Sequence, residues 1–458
     1  MESLLTRRRF LLLMAGSAVT GTASWAIAKP VLINPCRVAI PPELAASPWL
    51  QKVWSGLDPA RVWDCHVHLA GTGDGGSGIV IGPQLSSYLH PVQYGQRLFY
   101  MNAGCAQNEA GQVDRSYAAR LINLTEAMPT GFKVLLFAFD RFHDETGRPR
   151  DEQLSFYVPD RYAHQLAAAH PSRFEWAASV HPYRPDALDA LHSAVTDGAR
   201  AVKWLPSAMG MDPASQRCDA FYRALATANL PLIVHCGSEQ AVKGEHRQHL
   251  NNPLRLRRAL DAGVRVVIAH CASVGQDIDL DRGQAGPAVS SFRLFSRIMA
   301  EPRSNGLLFG DISAVTQRNR PLSVLKTLLE RADWHGRLLH GSDYPLPGIL
   351  PLTTPTTLAK AGLLPAAAVP DLKRMREHNP VLFDLALKRL LSWKGHSFSA
   401  SVFHTLVFRR KRSVELPRKR PLFRCESGHH SGEKGQCQES VSGLVFLYCH
   451  SFGFLVKH

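Results

Sequence analysis

The sequence has no regular cysteine framework. Its nine cysteines, at 36, 65, 105, 218, 236, 271, 425, 437 and 449, are odd in number and irregular in spacing, which argues against a disulfide-stapled scaffold. A phosphate cradle is missing too. The run Gly71-Thr72-Gly73-Asp74-Gly75-Gly76-Ser77-Gly78 is followed neither by the Lys-Ser/Thr of a P-loop nor directly by a helical pattern, and glycines alone do not make that site. Nor does the body of the chain carry a strong excess of one charge. The net charge is +15, but residues 394–458 hold eleven Lys/Arg against four Glu, and Arg7, Arg8 and Arg9 crowd the amino terminus. The centre is only mildly basic, so its charge gives no argument for a nucleic-acid partner. In the tail, Cys425, His429, His430, Cys437 and Cys449 match no zinc-knuckle or zinc-finger spacing.

What is present begins with an address. Thr6-Arg7-Arg8-Arg9-Phe10-Leu11-Leu12 resembles the twin-arginine export consensus. A moderately apolar Gly/Ala/Ser-rich stretch and the small-residue site Ala26-Ile27-Ala28 follow. Residues 1–28 are expected to be a cleaved signal peptide, which implies a periplasmic or otherwise exported protein. The rival reading is a short membrane anchor, the only membrane contact the sequence suggests. Residues 29–60 are Pro-rich and read as an arm over the next domain.

Strand-like apolar runs then recur at about 61–67, 133–139, 175–181, 199–205, 231–236, 264–270, 307–313 and 337–342. Helical patterning separates most of them, at 160–170, 186–197, 216–228, 253–262 and 321–333. Eight alternations of strand and helix predict an α/β fold, a closed parallel (β/α)₈ TIM barrel over residues 61–393. Runs with little alternation suit strands buried on both faces. The interval of about 65 residues after the first strand breaks the rhythm. It lies where a barrel carries its catalytic loops, as a lid or specificity element would. Residues 366–391 read as a closing helix, and residues 394–458 as a basic, disordered tail whose removal leaves activity intact.

Five residues with metal-ligating side chains close or follow these runs. His66 and His68 lie in Val-Trp-Asp-Cys-His-Val-His-Leu, His235 in Leu-Ile-Val-His-Cys, His270 in Val-Val-Ile-Ala-His-Cys, and Asp343 in Leu-Leu-His-Gly-Ser-Asp-Tyr-Pro. Strand alternation points His66 and His68 to one face, where two imidazoles can grip one divalent ion. A lone His-x-His among 21 histidines means little; five such residues at one end of apolar strands form a pattern. Cys65, Cys236 and Cys271 each neighbour one of these histidines. Alternation turns them away from it, toward whatever covers the sheet, as small buried residues.

The order His-x-His, His, His, Asp on strands one, five, six and eight resembles the amidohydrolase superfamily. His340-Gly341-Ser342-Asp343-Tyr344-Pro345 and His378-Asn379-Pro380-Val381-Leu382-Phe383 are similar to motifs of its amidohydrolase-related branch, which includes aminocarboxymuconate-semialdehyde decarboxylase and related metal-dependent hydrolases. The resemblance covers roughly residues 60–390. It implies that His66, His68, His235 and Asp343 bind a divalent metal, with Zn²⁺ the expected ion. It also places His270 beside them as a second-metal ligand or an acid/base, and gives Asp343 a catalytic proton-accepting role. One or two ions per chain remain open, because Lys203 has three readings. It is a carboxylated bridge between two metals, a contact for a substrate carboxylate, or a solvated rim lysine, with Trp204 packing outward.

Asp140, Arg141, His181, Asp311 and Arg318 are further candidates for substrate contact near strand ends. His246 and His249 fall outside the ligand set. The leading expectation is a metal-dependent hydrolase using metal-activated water on an amide, ester or lactone bond of a small molecule. The rivals are a metal-dependent non-oxidative decarboxylase on the same scaffold and a non-catalytic exported binding protein. A small-molecule substrate is the expected partner, and a homo-oligomer is left open.

Overall fold

Runs such as Val134-Leu135-Leu136-Phe137 and Leu232-Ile233-Val234 are buried on both sides, and that double burial is what a closed parallel sheet provides. A computed structural model describes residues 32–408 apart from 108, 240, 243 and 406. The signal-like segment 1–28 and residues 409–458, with their basic runs and scattered Cys and His, lie outside the described residues.

Eight parallel strands follow one another around a single sheet. They are β1 (Trp63–His68), β2 (Lys133–Phe137), β3 (Phe174–Ala178), β4 (Ala201–Trp204), β5 (Leu232–His235), β6 (Val266–Ala269), β7 (Leu308–Asp311) and β8 (Leu338–Leu339). The ring closes where Cys65 N–H donates to His340 O at 3.0 Å, His68 N–H to Tyr344 O at 2.9 Å, and Asp343 N–H to His66 O at 2.8 Å. The fold is the expected TIM barrel. Helices Asp160–Ala169, Ala187–Thr196, Asp219–Thr227, Arg257–Asp261, Ser291–Met299 and Leu322–Glu330 cover the connections.

Alternate side chains fill the interior: Trp63, Leu135, Phe137, Ala177, Ala201, Ile233, Val267 and Leu339. Their neighbours Val134, Leu136, Val202, Trp204, Val234 and Ile268 pack outward with helix residues. Trp204 lies against Phe221 and Tyr222, so the expected outward direction of Trp204 holds.

Cys65 departs from the expected alternation. It belongs to the interior cluster, whereas Cys236 and Cys271 pack in the outer one. The cause is a register shift between Asp64 and Val67, where β1 holds one residue more than β2 opposite it. A bulge of this kind lets adjacent residues face the same side. Cys65 and His66 thus both turn inward.

The closing segment is two helices, not one. Val369–His378 ends at Asn379, and Pro380–Leu390 begins anew. Proline has no N–H to donate and keeps the preceding residue extended. Asn379 sits at φ −147° and its Oδ1 accepts from the N–H groups of Val381 and Leu382, capping the second helix.

The interval after β1 contains helices Pro91–Ala103 and Val113–Glu126. Its glycine run wraps a carboxylate of this chain. Thr72 and Gly73 N–H donate to Asp114 Oδ1 at 2.7 and 3.1 Å, and Gly75 N–H and the Ser77 hydroxyl donate to Oδ2. Asp74 returns the favour at the N–H groups of Val113 and Asp114. A Cβ on Gly71 would fall 2.2 Å from Asp114 Oδ1, so only glycine permits the wrap.

Two further features correct the sequence reading. Cys36 and Cys105 form a disulfide that ties the arm to the end of helix Pro91–Ala103; a single pair separated by 69 residues leaves no spacing pattern to notice. Phe398, Val402, Phe403, Thr405, Val407 and Phe408 are buried, so the tail drawn from 394 starts too early. Val402 and Phe403 are fully buried, and His340 N–H donates to Val402 O at 2.8 Å. Val407 and Phe408 join the interior cluster at the amino-terminal end of the strands.

Truncation after residue 393 is therefore expected to give an unstable or insoluble protein, while truncation after Phe408 keeps every contact described here. Phe403→Ala should cost about 3–5 kcal/mol, read as a lowered urea midpoint. Cys36→Ser should cost about 2–5 kcal/mol under oxidising conditions and nothing in protein kept reduced, compared by thermal unfolding with and without dithiothreitol.

Candidate metal centre

The strand ends converge on three ligand atoms. His66 Nε2 and His68 Nε2 are 3.2 Å apart. Asp343 Oδ1 lies 3.4 Å from the first and 3.2 Å from the second. Bonds of about 2.0–2.1 Å at tetrahedral angles set ligand atoms about 3.3 Å apart, so this triangle fits one face around a single Zn²⁺. His66 and Asp343 are buried, while the His68 side chain is 30% exposed, which leaves the open side toward solvent.

The histidines are oriented by Asp311, a carboxylate read from the sequence as a candidate substrate contact. Asp311 ends β7, fully buried. Its Oδ2 lies 2.9 Å from His66 Nδ1. Its Oδ1 accepts from His270 N–H at 2.9 Å, Ser313 N–H at 3.0 Å and the Ser313 hydroxyl. With Nδ1–H aimed at Asp311, His66 presents the Nε2 lone pair to a cation. Burial alone would push the Asp311 carboxyl up, but His66, its hydrogen bond, His270 and Lys203 outweigh burial and hold it well below the usual range.

His270 is set by the same group. Ser313 Oγ gives its proton to Asp311 and lies 2.7 Å from His270 Nδ1, so His270 donates from Nδ1 and faces Asp343 Oδ2 with Nε2 at 3.9 Å. His270, Cys271 and Ala272 all have positive φ near +50°. Non-glycine residues seldom adopt that conformation, and such strain gathers at functional sites. Asp343 shares it at φ +63°.

The protonation states of these groups suit metal binding. Burial, then the Lys203 charge, pushes His66 down to about 4. Burial likewise lowers His235 and His270. Burial would raise Asp343, but His270, His66 and His68 hold its carboxyl well below the usual range. At neutral pH the buried imidazoles are neutral and the carboxylates ionised, the forms that ligate metal.

Lys203 is 1% exposed, which removes the solvated-rim reading. Its Nζ lies 3.4 Å from His66 Nε2 and 4.8 Å from the centre of the Phe137 ring. Burial lowers its pKa, against the pull of Asp311, Asp343 and Glu239.

The remaining candidates separate. His235 is buried at the end of β5, but among the described residues it is not grouped with His66, His68 and Asp343. Its Nε2 lies 3.3 Å from Glu239 Oε2, and its ring meets His270 edge-on at 5.3 Å. His181 is occupied by backbone: Nδ1 accepts from Tyr183 N–H and Nε2 donates to Met209 O. Arg141 pairs with Asp151 and lies over the Tyr157 ring. Asp140 accepts from His181 N–H and Arg184. Arg318 is exposed, as are His246 and His249.

Sequence reasoning missed Arg320 and Glu239. Arg320 donates to the Ser273 hydroxyl, its Nε has no hydrogen-bond partner among the described residues, and its charge acts on His235 and His270. Both residues stand outside the strands in irregular segments, where no periodicity marks an inward direction.

A second buried layer supports the ligands from outside the barrel. Asp64 Oδ1 accepts from Ser342 N–H at 2.7 Å and His66 N–H at 3.2 Å. Lys388, on the last closing helix, donates to Gly341 O at 2.6 Å and to Asp384. The helix thereby holds the backbone on which Asp343 sits.

A family model described as Amidohydrolase matches residues 63–380. No curated protein sequence matches the chain. Among solved structures, an uncharacterised TIM-barrel protein from Bordetella bronchiseptica is 14% identical, covers 62% of this chain and 86% of its own, and has a TM-score of 0.41. A probable 2-pyrone-4,6-dicarboxylic acid hydrolase from Acinetobacter baumannii is 14% identical, with 70% and 96% covered and a TM-score of 0.38. A 5-carboxyvanillate decarboxylase from Sphingomonas paucimobilis is 12% identical, with 71% and 96% covered and a TM-score of 0.39. Likenesses this distant carry nothing about the reaction.

Asp311→Asn keeps the shape of the support and removes its charge. It should weaken Zn²⁺ binding about 10–100-fold, measured by competition with a chromophoric chelator; unchanged affinity would mean that Asp311 does not orient His66.

Proposed function

Because the chain belongs to the amidohydrolase family, and is accordingly an enzyme, we propose that it hydrolyses an amide, ester or lactone bond of a small molecule. The observation that carries this reading is the triangle of His66, His68 and Asp343, with tetrahedral edges and one side toward solvent. His66, His68 and Asp343 would hold a divalent ion there, Zn²⁺ by the donor set, which would supply water acidified from a pKa of about 15.7 toward 7.

The residues of the chain supply the rest. Asp343 has one oxygen in the triangle and the other 3.9 Å from His270 Nε2. The free oxygen takes a proton from the attacking water and delivers it to the leaving group. His270, with its proton on Nδ1, faces the same space with Nε2 and can accept a hydrogen bond from the attacking water. Lys203 and Arg320 place two cations beside the site, suited to hold an anionic end of the substrate.

These same cations favour a second reading, non-oxidative decarboxylation of a carboxylic acid held by an unmodified Lys203. Reaction in ¹⁸O-water separates the two. Hydrolysis puts ¹⁸O into the product carboxylate; carbon dioxide release without that label would overturn it. His68→Ala should lower kcat/KM at least 10²-fold and release metal, and full metal retention would count against the site.

We also propose export. The Cys36–Cys105 disulfide supports it, since such bonds persist in oxidising compartments. In a twin-arginine-competent bacterium the mature amino terminus is expected after Ala28. Replacing Arg7, Arg8 and Arg9 together with lysine should leave unprocessed precursor in the cytoplasm, and normal processing would exclude that route.

A further inference from the structure

The helix Pro380–Leu390 is buried from residue 380 to residue 388. A helix buried on every side is ordinarily apolar all round, yet this one carries an ion pair. Lys388 Nζ lies 2.5 Å from Asp384 Oδ2, one turn earlier, and the two residues are 0% and 3% exposed. A buried ion pair is a poor device for stability alone, because apolar residues of similar volume often serve as well or better. A local demand has to account for it.

That demand is a single peptide group. Lys388 donates at 2.6 Å to the Gly341 carbonyl, which receives no backbone N–H among the described residues. The N–H of the same peptide, that of Ser342, donates to Asp64 Oδ1 at 2.7 Å. An ammonium holds one pole of the peptide and a carboxylate the other, both through charge-assisted hydrogen bonds. The group is also hemmed in: a Cβ on Gly341 would fall 2.7 Å from His66 Cβ and 3.3 Å from Ser313 Cβ. Asp343 follows at once, at φ +63°. A non-glycine residue keeps such a conformation only where its surroundings over-determine it. Asp64 ties the same clamp to β1, since its Oδ1 also accepts from His66 N–H at 3.2 Å.

We propose that Lys388 and Asp384 are positioning residues: Asp384 holds Lys388, and Lys388 with Asp64 fixes the tilt of the Gly341–Ser342 peptide and so the direction in which Asp343 presents its carboxylate. Neither side chain touches the candidate ligands' triangle. Their effect reaches it through the backbone, from a helix at the far end of the domain sequence. The pair serves aim rather than stability, which is why charge is kept in a place that apolar side chains could fill. The proposal rests on the reading of His66, His68 and Asp343 as a metal centre.

The test needs no substrate. Full-length mature protein is stripped with chelator and reloaded with Co²⁺, whose visible bands follow the number and arrangement of its ligands. Lys388→Met with Asp384→Leu removes the pair and keeps its bulk. This double variant is expected to unfold thermally no earlier than the wild type. It should bind Co²⁺ about 10–100-fold more weakly, with bands displaced the way Asp343→Asn displaces them. Wild-type bands and affinity in the double variant, whatever its thermal midpoint, would make the pair merely structural and overturn the proposal while leaving the centre intact. Failure of the wild type to bind Co²⁺ would overturn the metal-centre reading and the proposal with it. If the double variant does not fold, Asp384→Asn, which keeps the shape and removes the charge that holds Lys388, should show the same displacement in smaller measure. Wild-type bands there would overturn the proposal.

Discussion

One carboxylate organises the centre. Asp311 joins three neighbouring pieces of the barrel rim: His66 on β1, the strained turn at His270 after β6, and Ser313 just beyond its own strand. Each oxygen has a separate task. Oδ2 fixes the tautomer of a ligand, and Oδ1 collects the donors that hold the next histidine. Removing the side chain would free His66 to rotate and leave the His270 and Ser313 N–H groups without their acceptor, so the geometry of the candidate ligands depends on a residue outside their triangle.

Around it the interior is buried but not apolar. Three carboxylates (Asp311, Asp343 and Glu239) share the space with two cations (Lys203 and Arg320) and neutral imidazoles. A divalent ion bound there would turn this slight negative excess into a slight positive one, and such a site would favour an anion or a developing negative charge. The Asp311 carboxylate is held by hydrogen-bond donors, Lys203 lies against His66 Nε2 and the Phe137 ring, and Arg320 donates to the Ser273 hydroxyl.

Most of the architecture was legible because burial writes itself into composition. The eight apolar runs gave the strands, and the polar residues that ended them gave His66, His68, His270 and Asp343. What escaped depended on details with no period. The bulge after Asp64 reversed the direction of Cys65. Proline at 380 split a helix whose apolar pattern runs through. Glu239 and Arg320 are aimed by turns and loop hydrogen bonds, so nothing local distinguishes them from Arg318, which faces water. His181 is a candidate from its place just after a strand, yet two backbone groups fully employ it.

The plug at the amino-terminal end of the barrel has a consequence for how the molecule comes into being. Phe408 and Val407 fill the space beneath Trp63 and its neighbours, and the strand that closes the ring lies at residues 338–339. A growing chain thus carries β1 for more than half its length with one edge unpaired and the interior open from below. The earliest strand made waits for the latest segments. Synthesis runs from the first ligand pair to the last ligand, so the centre is assembled only when the two ends of the domain meet.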